Sequence, residues 1–368
     1  MIPSGSLANP MLFIPVEAIC TGKHNGVSDL RLDTWGLILV VAAITCVASV
    51  AGTAVYFNAT IKQRVVVATT TSLFDTGLLD EVENEFEIKY NIDLCFVSVG
   101  TGIAIEFARR GDADMILVHS PPSEFSFLEE GYGVNRKIVA YNFFEIVGPE
   151  TDPAGVDGSS PIEALSKIVS AGRNAEASWI SRGDNSGTHS KEKALWKAAG
   201  FNWTEIRDET SWFIETGSGM GNTLKTANEM SARGSGAYTI TDKGTFVAYS
   251  NANQNQIPNL RELVTQGSQL LNVYSAIAVN KTLHPQTSFE GATSFIKYLI
   301  SEEGQQLVGD YGTAEYGQPL FYPAAEPLAE DTNPTVAQMI RDYAFFEGSE
   351  CPEQYRQSHP ELYPDNFD

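Results

Sequence analysis

Histidine, cysteine and basic side chains are scarce in this chain: five His, four Cys and 24 Lys plus Arg stand against 46 Asp plus Glu in 368 residues. The net charge of −22 excludes a nucleic-acid footprint, which needs a basic stripe to neutralise phosphates. His24, His119, His189, His284 and His359 never fall at the i, i+4 spacing of a helical metal site, so no zinc centre is readable and no metal is expected. Cys46 lies in an apolar run and Cys20 before it, which leaves Cys95 and Cys351 as a pair for the polar part of the chain. They can close a disulfide between the C-terminal tail and the segment around Cys95, or Cys95 can pack as a small apolar strand residue beside an unpaired Cys351. No internal repeat stands out. Gly219-x-Gly221 does not follow a clear strand, so no dinucleotide fingerprint is present and no cofactor is expected.

What the chain does have is a donor-rich turn. Ser181-Arg182-Gly183-Asp184-Asn185-Ser186-Gly187-Thr188 runs straight into the helix-like Ser190-Lys191-Glu192-Lys193-Ala194-Leu195-Trp196-Lys197. A turn of small residues opening a helix aims free backbone N–H groups at one spot. Hydroxyls add donors and Arg182 adds a charged fork, a combination suited to a tetrahedral dianion. The bland alternative is an ordinary capped helix start.

Two further loops have the same design. Val65-Val66-Val67-Ala68 is a β-branched strand that ends in Thr69-Thr70-Thr71-Ser72, and after a turn Leu78, Leu79, Val82 and Phe86 mark one face of a helix. Strand 94–99 ends in Gly100-Thr101-Gly102, and the following helix is read with Ile103, Ala104 and Phe107 inward. Strand, hydroxyl or glycine loop, helix is the ligand loop of an α/β sheet, where ligands sit beyond the carboxyl ends of strands.

The motifs Ala68 to Ser72, Val99 to Gly102, Arg109 to Asp114 with Val118-His119, Ser181 to His189, Gly219 to Leu224, Ala237 to Gly244, and Tyr311-Gly312 to Tyr322-Pro323 occur in one order. Together they resemble the tungstate-binding proteins of ABC tungstate uptake systems, over about residues 64–323. The resemblance implies an α/β, two-lobed type II periplasmic-binding-protein fold with the anion between the lobes. By matching position it carries over Thr70, Thr71, Ser72, Thr101, Arg182, Ser186 and Thr188 as ligand-binding residues, with Gly187 in the same turn. Tyr238 is added because its strand is placed near the cleft. The chain is then expected to cross between lobes twice, lobe one comprising about 64–141 and 272–323 and lobe two about 142–271, within a domain spanning 62–323. A transporter permease is the implied partner, and no catalytic residues are implied.

Tungstate and molybdate carry two charges and no proton at neutral pH, so a site for them offers donors only. Phosphate keeps a proton, and a carboxylate that accepts it selects phosphate. Asp184 is the ambiguous residue, because phosphate-binding proteins of the same fold share the Arg-x-Asp-x-Ser-Gly-Thr turn. A hydrolase is the rival from another class: Ser72 or Ser186 with His119 or His189 would supply its parts.

Residues 36–57 carry no charge and are rich in Val, Ala, Ile and Leu, with Trp35 and Tyr56 at the ends, which is long enough to span a bilayer. The expectation is an uncleaved signal anchor after an unstructured segment 1–35. Residues 58–368 would then lie on the extracellular or extracytoplasmic side as a single-pass membrane protein. Sequons at Asn58, Asn202 and Asn280 favour that orientation where the host glycosylates. A helix is expected over 292–307, packed through Phe295, Ile296, Leu299 and Ile300. Beyond it, 324–368 is an acidic tail with two arginines, Arg341 and Arg356. In this tail Val336, Met339, Ile340, Tyr343 and Phe346 recur at helical spacing, predicting one docked helix before a frayed Tyr- and Pro-rich end.

Overall fold

The computed structural model describes residues 63–251 and 255–363. The expected span at 36–57, segment 1–35 and Asn58 lie outside these residues. Among the described residues no helix is long and apolar enough to cross a membrane.

The chain alternates strands with helices, as the strand–loop–helix reading requires. Strand β1 (Gln63–Thr70) is followed by the single turn α1 (Thr71–Phe74) and by α2 (Leu78–Tyr90), which buries Leu78, Leu79, Val82 and Phe86. Next come β2 (Ile92–Val99), α3 (Thr101–Arg110), β3 (Met115–Val118), α4 (Pro121–Glu129) and the long β4 (Gly133–Gly148). In α3 the inward residues are Ala104, Ile105 and Ala108, while Ile103 is 51% exposed. The expected inward turn of Ile103 is therefore corrected: the helix phase is set by the small residues that lie on β1.

The second part contains α5 (Pro161–Arg173), β5 (Ala177–Ser181), α6 (Gly187–Ala198), α7 (Trp203–Arg207), β6 (Phe213–Glu215), α8 (Met220–Ala232), β7 (Gly236–Asp242), α9 (Lys243–Ser250) and β8 (Arg261–Val264). The chain returns through β9 (Leu271–Val279) to α10 (Phe289–Ile300), α11 (Glu302–Asp310), α12 (Thr313–Tyr316) and β10 (Tyr322–Pro323). The helix expected over 292–307 is two helices, because Ser301 ends one and caps the other by accepting the Gly304 N–H.

Two α/β lobes result. In lobe one β2, β1 and β3 are parallel neighbours, and β9 joins antiparallel to β3. Strand β4 pairs with β9 from Gly133 to Phe143, then changes partners and pairs with β7 from Phe144 to Val147. In lobe two β7, β5 and β6 continue the order, with β5 parallel to both neighbours. The chain thus enters lobe two inside β4, near Phe143 and Phe144, and leaves it near Leu271 at the start of β9. Each lobe has its own apolar core. One is built around Val65, Phe86, Met115, Phe295 and Tyr298. The other surrounds Trp179, Trp196, Trp212 and Ile168.

The tail forms α13 (Ala325–Glu330) and α14 (Pro334–Ala344), and the chain after α14 stays docked rather than frayed as far as Tyr363. Its anchor is Arg136 on β4, buried completely with Glu124, whose guanidinium also donates to the carbonyls of Ala344 and Glu350 at 2.9 and 2.8 Å. The Tyr363 hydroxyl donates to the Arg136 carbonyl at 2.9 Å. Phe346, expected to continue the helical stripe, lies past its end and stacks on Phe125 at 4.8 Å. Cys95 and Cys351 are both free, which corrects the disulfide expectation. Cys95 is on the outer strand β2, whereas the Cys351 thiol is buried in the tail and faces the carbonyls of Pro352 and Tyr355.

Candidate functional site

Four parallel-strand ends converge between the lobes: β1 ends at Thr70, β2 at Val99 before Thr101, β3 at Val118 before His119, and β5 at Ser181 before Arg182. Two helix N-termini face each other there. Helix α3 starts at Thr101 in lobe one and α6 at Gly187 in lobe two, and their first-turn N–H groups have no intrahelical acceptor. The approach is close: a β-carbon built on Gly100 would lie 3.5 Å from the Asp184 carbonyl, and one built on Gly219, which caps α8, 3.5 Å from Thr71 Oγ1. The loop between Arg182 and Ser186 turns sharply because Gly183 and Asn185 adopt the left-handed conformation, at φ +63° and +57°.

Arg182 organises the donors. It is 1% exposed, and its Nη2 donates to Asp184 Oδ2 at 2.5 Å and to Thr71 Oγ1 at 3.2 Å, the latter across the cleft. Its Nη1 reaches Thr188 Oγ1 at 3.4 Å. Guanidinium has no acceptor, so Thr71 and Thr188 must both accept from it and turn their own O–H elsewhere. Asp184 is engaged at both oxygens, since the second takes the Ser186 N–H at 3.2 Å. Ser186 Oγ accepts from the His189 backbone N–H at 3.2 Å and so also keeps its hydroxyl hydrogen free. Thr101 Oγ1 and Arg182 Nε are buried without any hydrogen-bond partner among the described residues. A buried donor without an acceptor is costly, and an oxyanion between the two helix starts is the kind of group these donors suit.

The remaining two hydroxyls are committed inward. Asn142 Nδ2 donates to the Leu320 carbonyl at 3.4 Å, so its Oδ1 accepts from Asn272 Nδ2 at 2.8 Å. Asn272 Oδ1 then faces His119 Nδ1 at 2.8 Å, which carries the ring proton, and the bare Nε2 accepts the Ser72 hydroxyl at 3.2 Å. Ser72 Oγ in turn lies 3.3 Å from Thr70 Oγ1, and Thr70 Oγ1 caps α1 by accepting the Leu73 N–H. Burial pushes the His119 pKa down to about 4, so the imidazole is neutral. Gly187 sits against this ring, which makes His119 the floor on which the two lobes meet.

Of the residues singled out in the sequence, Thr71, Thr101, Arg182, Ser186, Gly187 and Thr188 come together around the helix starts, and Thr70 and Ser72 lie just behind them. Tyr238 does not join them and is corrected to a core residue. It is fully buried among the lobe-two core side chains, its hydroxyl donates to Asp152 Oδ1 and accepts the Ala154 N–H, both at 2.9 Å, and it packs on Gly148. Asn202 is exposed and caps α7 through its side chain. Asn280 uses its amide nitrogen to bond the Gly131 carbonyl at 2.8 Å. Sequence reasoning left out Asn272 and the floor role of His119. The usable signal was the position of His119 directly after strand β3, at the ligand end of an α/β sheet.

Ser72, His119 and Asn272 stand in the order of a nucleophile, base and orienting group. A base whose pKa lies near 4 is nevertheless a weak proton acceptor at neutral pH. The other pairing does not form, because Ser186 meets the backbone of His189 and not its ring. No group of three His, Cys, Asp or Glu side chains suited to a metal occurs among the described residues.

Residues 49–303 match the family model for the PBP superfamily domain. A proposed ABC transporter anion-binding protein of Haloferax volcanii is 42% identical over 279 residues, covering 76% of this chain and 76% of its own length. The tungstate-binding protein TupA of Peptoclostridium acidaminophilum is 38% identical over 299 residues, covering 80% of this chain and 98% of its own. Among solved structures, the tungstate-binding protein TupA from Desulfovibrio alaskensis G20 superposes with a TM-score of 0.60 at 38% identity, covering 72% of this chain and all of that one.

Proposed function

We propose a function from one premise, that the chain belongs to the PBP superfamily: it binds a fully deprotonated tetrahedral oxyanion, tungstate or molybdate, by closure of its two lobes, and hands it to an ABC permease. The observation that carries this reading is Asp184. Both of its oxygens are engaged, by Arg182 and by the Ser186 N–H, so the one carboxylate of the anion turn is already paired with the turn's own donors. Such a site favours an anion without a proton over phosphate. The tungstate-binding and anion-binding relatives support the same ligand class. Closure is driven by contacts to both lobes, since Arg182 and Thr188 come from one and Thr71 and Thr101 from the other. No bond is made or broken.

Calorimetric titration of the full chain with tungstate, molybdate, sulfate and phosphate tests the reading. Tungstate or molybdate is expected to bind with phosphate silent, and ligand at 100 times its dissociation constant should stabilise the fold by about 2.7 kcal/mol. Asp184→Asn should leave that selectivity in place. Binding of phosphate alone, lost in Asp184→Asn, would make Asp184 the proton acceptor and replace the ligand, and silence from all four anions would end the reading.

In this proposal residues 36–57 anchor the chain with 58–368 on the extracytoplasmic side, which rests on the charge-free run and on the exposure of Asn202 in its sequon. Protease added to intact cells should then degrade the binding domain. Full protection would reverse the orientation.

A further inference from the structure

The helix that opens the anion turn also holds the hinge. One turn after Gly187 and Thr188, α6 carries Lys191, which is buried and whose Nζ donates to the carbonyls of Gln269 at 3.2 Å and Leu271 at 2.7 Å. Those two residues are where the chain leaves lobe two. The ring of Phe144, where β4 enters lobe two, lies 5.6 Å from the same Nζ. A single lobe-two side chain therefore touches both crossovers.

The tail covers that lysine. The ring centroid of Tyr343 on α14 is 3.8 Å from Lys191 Nζ. Helix α14 itself is seated on lobe one, where Ile340 and Ala344 are buried in one cluster with Ile138, Tyr141 and Val273, and where Arg136 binds the Ala344 carbonyl. Burial lowers the Lys191 pKa to about 7, so the two carbonyls and the ring face are the groups that favour its ammonium form. A rotation of lobe two about the crossovers would carry Lys191 away from a ring seated on lobe one.

We propose that Tyr343, acting through Lys191, is a positioning residue for the oxyanion cleft: the C-terminal helix clamps the hinge, favours the closed arrangement and slows anion release. Only the ligand arm of its test rests on the reading of the α6 N-terminus as the anion site. A contact present in the closed state and lost in the open one shifts the population toward closure whatever anion is bound.

Stopped-flow tryptophan fluorescence on the full chain measures the rates with tungstate as the probe. Tyr343→Ala should speed dissociation several-fold with association changed less than about twofold, and Tyr343→Phe, which keeps the ring, should match the parent. Lys191→Met, which keeps length and loses the ammonium, should speed dissociation like Tyr343→Ala and serves if that variant does not fold. Hydrogen exchange of the ligand-free chain gives an arm independent of the anion: amides of residues 268–273 should exchange faster in Tyr343→Ala. Unchanged dissociation together with unchanged exchange overturns the clamp. Should the parent bind no oxyanion, the proposed function falls and exchange alone decides the clamp, faster exchange upholding it and unchanged exchange overturning it.

Discussion

Gly187 lies against the imidazole of His119: a β-carbon built on it would fall 2.8 Å from both Cε1 and Nε2 of the ring. The ring has nowhere to move, because Asn272 and Ser72 hold its two nitrogens and Tyr274 stacks on it at 4.9 Å. The methyl of Gly187→Ala should therefore wedge the lobes apart and weaken tungstate binding by at least about tenfold, or 1.4 kcal/mol. His119→Ala in the same background should return part of the loss. Calorimetric titration of both variants checks this, and unaltered affinity in Gly187→Ala would mean that the lobes close on some other contact.

The two neighbouring threonines should separate affinity from stability. Thr71 accepts from Arg182 and keeps its O–H for the anion, whereas Thr70 is spent on Ser72 and on capping α1. Thr71→Val is expected to cost about 1.5 to 3 kcal/mol of anion binding, the range for a hydrogen bond to a charged group. Thr70→Val should instead cost about 1 kcal/mol of fold stability and change affinity little. Measuring affinity and thermal midpoint on both variants decides it, and equal affinity losses would place both hydroxyls on the anion.

His119 gives stability a pH slope. Its folded pKa of about 4 lies below the ordinary 6.5, so between those values the unfolded chain takes up a proton that the folded chain refuses. Stability is fully present above pH 6.5 and falls as pH drops toward 4, by about 3 kcal/mol from this group. Glu192, raised by burial to about 7, tilts stability the other way over an overlapping range. The readout is therefore a difference: denaturant unfolding of His119→Gln should fall less steeply than the parent from pH 6.5 to 4.5. Parallel slopes would mean that the imidazole titrates normally.

The tail should be part of the cooperative fold. Arg136 and Glu124 are both fully buried and paired at 2.8 Å, so removing one leaves the other buried without its counter-charge. Arg136→Met is expected to lower stability by about 3 to 5 kcal/mol, and Glu124→Gln in the same chain should recover part of it. Chemical denaturation followed by far-UV circular dichroism tests both. A loss below 1 kcal/mol would show that the tail contributes little.

Much of this was legible because local chemistry decided it. The face of α2, the hydroxyl loop after β1 and the capped start of α6 follow from apolar spacing and from side chains that bond their own backbone. Tyr238 was misplaced because only its strand was placed near the cleft, and a tyrosine within a strand reads alike whether its ring faces cleft or core. What turned it inward was Asp152, 86 positions away. Ile103 was misplaced for a similar reason, as the small Ala104 and Ala108 took the sheet side. The break at Ser301 was readable in hindsight from Ser301-Glu302-Glu303-Gly304, a cap followed by acidic residues at a helix start. The docked helix of the tail was legible from its apolar spacing, but the docking of the chain beyond it was not, since that chain is held by Arg136, far away in sequence.

Strand β4 runs unbroken from Gly133 to Gly148 through the junction of the lobes, and its pairing slips register between Val134 and Lys137, between Ile138 and Ala140, and between Ile146 and Val147. A loop would act as a free joint; a strand acts as a torsion ribbon. Rotation of one lobe against the other would be taken up as added twist near Phe143 and Phe144, where β4 changes partners from β9 to β7 between the slips on either side. The swing of the cleft is therefore an elastic quantity, limited by how far the ribbon can be wound before its hydrogen bonds part.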